Sequence, residues 1–70
     1  MTPHFEAQEF ANAAVENFAS GEKYHQHVIN EINKLSKKKA IAATAFVMEI
    51  LMREDPSLAA KFQKLLLYGK

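Results

Sequence analysis

Ala40-Ile41-Ala42-Ala43-Thr44-Ala45-Phe46-Val47-Met48-Glu49-Ile50-Leu51-Met52 is apolar at every position except Thr44 and Glu49. A helix that is apolar on all sides must be surrounded, and a chain of 70 residues has little with which to surround it. The stretch therefore predicts a helical core element in a protein completed by something else, either a second copy of itself or a partner.

Outward from this run, prolines and glycines punctuate the chain. Asp55-Pro56-Ser57 places a capping carboxylate before a proline, the pairing that starts a helix. From Pro56 the residues Leu58, Ala59, Phe62, Leu65 and Leu66 form one broad face, with Lys61 and Lys64 outside it and Gly69 able to close the helix. Thr2-Pro3 repeats the device. Glu6 and Glu9 fall in or near the first turns there, where the helix dipole favours anions. Ala7, Phe10 or Ala11, Ala14 and Phe18 then recur at three- and four-residue spacing with Val15 beside them. That periodicity predicts an amphipathic helix to about residue 19, ended at Ser20-Gly21 by a left-handed glycine cap.

A second helix starts near Glu22. It carries Tyr24, Val28, Ile29, Ile32 and Leu35 on an apolar face and Lys23, Gln26, His27, Asn30, Asn33 and Lys34 on a polar one. Its end is finely balanced. Ser36 can cap a third helix, but Lys37, Lys38 and Lys39 then occupy a first turn whose dipole opposes cations by about 0.3–1 kcal/mol each. No glycine or proline interrupts Glu22 to Asp55, and a three/four stride runs through Ile29, Ile32, Ser36, Ala40, Ala43, Val47 and Ile50. One continuous helix of about thirty residues stands beside a break at Ser36 as an alternative. No segment shows the two-residue alternation of a strand. The fold class is all-α: one domain, 1–70, with three or four helices at about 3–19, 22–35, 37–54 and 56–68. The third helix lies at its centre, with the first and last packed across it.

Composition narrows the function classes. Hydrophobic residues make up 49% of the chain, too many for a disordered peptide. There is no cysteine, which removes disulfides and thiolate metal sites and leaves association or tight helix packing to stabilise so small a domain. No basic region precedes an apolar stretch at the start, and the run at 40–52 is shorter than the roughly 20 residues that span a bilayer. The expectation is a soluble, cytoplasmic protein with no membrane partner.

Net charge is only +1, yet it is segregated. Glu6, Glu9, Glu16 and Glu22 stand in a stretch without lysine or arginine, followed by Lys23, Lys34, Lys37, Lys38 and Lys39 against Glu31. Glu49, Arg53, Glu54 and Asp55 are net acidic, and Lys61, Lys64 and Lys70 form a basic end. Such blocks suit antiparallel neighbours or a self-complementary dimer.

Two surfaces are candidates for partner binding: the acidic face of the first helix (Glu6, Glu9 and Glu16, with Asn12 and Asn17) and the basic group Lys34, Lys37, Lys38 and Lys39. Phe46, Val47, Met48, Ile50, Leu51 and Met52 are assigned to the core or to a dimer interface. The lysines also permit a nucleic-acid-associated regulator, although a reader helix needs polar side chains aimed at base edges and the helix after Ser36 is Ala, Ile, Phe, Val and Met.

Glu22-Lys23-Tyr24-His25 matches the Glu-x-x-His spacing of di-metal bundles, but one such tetrapeptide arises easily by chance. His27 is expected to pair with Glu31 one turn on. Ser20, Ser36 and Ser57 read as caps or turn residues, and no glycine-rich phosphate loop occurs. No cofactor is implied and no enzyme is expected. By exclusion, and from the apolar excess and the charge blocks, the best-supported class is a small interaction protein, expected as a homodimer that regulates, adapts or inhibits a larger protein.

Overall fold

The computed structural model describes residues 6–68 and consists of four α-helices with no strand among the described residues. They are α1 (Ala7–Ser20), α2 (His25–Asn33), α3 (Lys37–Glu54) and α4 (Pro56–Tyr68), with a single 3-10 turn, Glu22–Tyr24, leading into α2. The all-α bundle expected from the sequence is the fold found. Its radius of gyration is 11.5 Å, against roughly 11 Å for a compact chain of this length.

α3 is the hub: its most extensive pairings are with α1 and α4. Val47, Ile50 and Leu51 on its inner side are buried with Ala11, Ala14 and Phe18 of α1, Val28, Ile29 and Ile32 of α2, and Ala59 and Phe62 of α4, and Ala43 is buried as well. The rings of Phe18 and Phe62 meet edge-on at 5.4 Å between centroids and 88° between planes, the geometry in which a positive ring edge meets a negative face.

The chain breaks between α2 and α3, so the continuous helix is not formed. The Lys34 amide is shared between the Asn30 and Glu31 carbonyls, Leu35 bonds back to Ile32, and Ser36 turns extended at φ −63°, ψ 161°. The reason is tertiary. A straight helix through Ser36 would carry α3 away from α1, and with it the burial of Ala43, Val47 and Ile50. Ser36 takes the capping position, but its hydroxyl makes no cap hydrogen bond.

Other boundaries need correction. Helix α1 begins at Ala7, with Glu6 extended at the N-cap (φ −110°, ψ 100°) and Glu9 in the first turn. The expected start at Thr2-Pro3 lies outside the described residues, as does a closing Gly69. Gly21 has φ 159°, ψ 157°, a positive-φ conformation that suits glycine but lies outside the left-handed helical region of the expected cap. Tyr24 lies in that turn and is exposed instead of joining the apolar face of α2. The start of α4 is as read: the Leu58 amide donates to Asp55 Oδ1 at 3.4 Å.

Candidate interaction surface

The surface is built from the half of α3 that the bundle leaves uncovered. Of the six residues assigned to core or dimer, Val47, Ile50 and Leu51 are buried, and Phe46 and Met48 are half-buried against the core. Met52 is not core. It is 61% exposed, and Ile41 on the same side is 62% exposed. A helix meets its neighbours over only part of its circumference, so an element apolar all round in one four-helix copy must show one side.

That side is ordered. Ile41, Ala45, Met48 and Met52 follow one another at four-, three- and four-residue steps, which keeps them on one stripe of α3. On the antiparallel neighbour α4, Pro56, Ala60, Gln63 and Leu67 repeat the same steps and are all exposed. The two stripes are contiguous: Met48 and Met52 share a groove with Pro56, Ala59, Ala60 and Gln63. Further along, Ile41, Thr44 and Ala45 share another with Leu66 and with Ile32 and Asn33 of α2. None of the eight stripe positions carries a charge. The C-terminal leucines divide likewise, Leu65 and Leu66 half-buried on the core and Leu67 exposed.

The charged candidates stand elsewhere. Glu6, Glu9 and Glu16 are exposed on or beside α1 together with Asn12 and Asn17. Lys34, Lys37, Lys38 and Lys39 are exposed around the α2–α3 turn. There Glu31 takes Lys34 at 3.2 Å and not His27. His27 and Glu31 instead border a shallow groove with Phe10, Asn17 and Val28.

His25 is the residue whose role sequence reasoning missed: it is 7% exposed, with its ring stacked on Phe18 at 3.8 Å and 7°. Its Nε2–H donates to the Phe18 carbonyl oxygen at 3.1 Å, an acceptor that fixes the proton on that nitrogen. This carbonyl lies in the last turn of α1, where the helix supplies no partner. The signal was available: His25 precedes Val28, Ile29 and Ile32 by three, four and seven residues, the buried stride of α2. No group of three or more histidine, aspartate or glutamate residues that could hold a metal ion occurs among the described residues. Among them, too, no helix is long and apolar enough to cross a membrane. Comparison with family models, curated proteins and solved structures found no match to this chain.

Proposed function

We propose that the protein is a small non-enzymatic protein–protein interaction module, a homodimer that acts as a regulator, adaptor or inhibitor of a larger protein. The observation that carries this reading is the uncharged stripe of α3 and α4. Contiguous exposed apolar surface costs about 25 cal/mol per Å² while it faces water, and on a small monomer it marks an interaction site. Solvent-facing positions such as Ala45 and Ala60 accept lysine or glutamate without disturbing a helix, and here none is charged. The acidic face of α1 and the basic corner at Ser36 would then recognise a larger protein through complementary charge.

The nucleic-acid reading draws on the exposed lysines Lys34, Lys37, Lys38 and Lys39. Against it, Lys34 is paired with Glu31 and the net charge is only +1. Helix α3 also turns Ile41, Ala45 and Met52 outward, where a reader helix would present polar side chains. A gel-shift titration with duplex DNA and with RNA is expected to show no retention at low salt; a complex that dissolves steeply with salt would favour this second reading.

A photo-crosslinking residue at position 45, introduced into the full chain in its source cells, tests the interaction reading. A defined protein adduct is expected. No adduct at position 45 or position 60 would remove the reading.

A further inference from the structure

Resting on that reading, we propose that the α3–α4 stripe is covered by a second copy of this chain, with the two α3 helices antiparallel about a two-fold axis passing between Ala45 and Met48.

The register of the stripe is the first argument. Its spacing is the same read from either end, so reversing α3 keeps the stripe in register with itself across a two-fold interface. Reversing α3 on itself sets Ile41 opposite Met52 of the second copy and Ala45 opposite Met48. Each long, adaptable thioether then meets a smaller or branched partner. The matching stripe on α4 lies alongside and is brought over its own counterpart, so both helices contribute to one face.

Charge is the second argument, and it selects the orientation. Lys37 and Lys38 stand in the first turn of α3, which lacks any acidic residue. Within one copy the dipole opposes them. In the antiparallel pair they lie over the far end of the other α3, where the carbonyl terminus, Glu54 and Asp55 outweigh the single cation Arg53. The competing two-fold, which places α3 on α4 of the second copy, instead brings them toward the C-terminal end of α4. That helix carries no acidic residue, so it offers the lysines a carbonyl terminus but no carboxylate.

The extent of the face sets the strength. The 18 residues of α3 rise about 27 Å. Two adjacent helices are about 20 Å wide, so each copy offers roughly 500 Å², near the lower limit of about 1,000 Å² in total for a specific interface. The dimer is therefore concentration-dependent.

Sedimentation equilibrium of the full chain from micromolar to millimolar is the test. The mass should rise from 7.9 kDa toward twice that value. Ala45→Glu should stay monomeric throughout with an unchanged helical spectrum, because position 45 is exposed in one copy. Lys38→Glu should weaken the dimer roughly tenfold at low salt, and less at high salt. Glu16→Lys on α1 should leave it unaltered. A wild-type chain that remains at 7.9 kDa at millimolar concentration, or an Ala45→Glu variant that still pairs, overturns the proposal. Crosslinking at position 45 separates the two levels of failure. An adduct of twice the chain mass supports the second copy. An adduct with another protein alone overturns the second copy and spares the interaction module, and no adduct at either stripe position overturns both.

Discussion

His25 holds Phe18 twice: its ring stacks on the phenyl group at 3.8 Å, and its Nε2–H closes on the same residue's carbonyl oxygen at 3.1 Å. One side chain thus supplies part of the core and a partner for the frayed end of α1. His25→Ala removes both and should cost about 3 kcal/mol. His25→Phe keeps a ring but leaves the carbonyl without its donor, at about 1 kcal/mol. Urea unfolding of the two variants measures the split: equal losses would mean that the stacked ring contributes nothing, and an unchanged His25→Phe that the hydrogen bond contributes nothing.

Phe62 and Phe46 provide a second comparison. Phe62 is fully buried and edge-on to Phe18, whereas Phe46 is half-buried at the margin. Phe62→Ala should cost about 3–5 kcal/mol, comparable with the whole stability of about 4–10 kcal/mol expected for a chain of this length. That variant should be largely unfolded by circular dichroism. Phe46→Ala should remain folded with a loss of about 2 kcal/mol, read from the shift in urea midpoint.

The two helix starts, Ser36 and Asp55, look alike in sequence and differ in structure. Asp55 accepts the Leu58 amide, while the Ser36 hydroxyl makes no cap bond. Asp55→Ala should therefore lose about 1 kcal/mol, lowering Tm by about 4–8 °C. Ser36→Ala should leave Tm almost unchanged. Thermal melts at one low protein concentration keep association out of the comparison.

The lysine turn supplies a prediction of opposite sign. Lys37→Glu replaces an unfavourable cation at the α3 N-terminus by a favourable anion and should stabilise a single copy by roughly 1 kcal/mol at low ionic strength. The gain should fade in high salt. A loss of stability instead would show that this lysine is held by the fold.

Much of this architecture was legible because local rules and packing agreed. Asp55-Pro56 marks the start of α4 whatever surrounds it, and the stride Ala11, Ala14, Phe18 fixes the buried side of α1. The break at Ser36, which the bounds 22–35 and 37–54 express, is only weakly marked by local signals, because the stride continues through it and the lysines argue against it. Only the burial available against α1 decides it. Met52 shows the matching limit for the interaction surface. Composition says that residues 40–52 are apolar, but which side stays uncovered depends on how many neighbours the chain can bring. The capping role of His25 was not legible, because the carbonyl that it meets belongs to Phe18 in another helix and only the fold brings the two together.

Ser36 also gives the molecule a seam. It is extended, exposed and free of side-chain cap bonding, and it separates one pair of helices from the other. Each half, 1–35 and 36–70, keeps its sequence-local contacts, while the principal contact between them is the docking of α3 onto α1. The chain is in effect a two-piece assembly joined by one residue. Separately synthesised halves should be mostly unfolded alone and regain helical ellipticity when mixed. Their affinity would report directly on the free energy with which this fold closes.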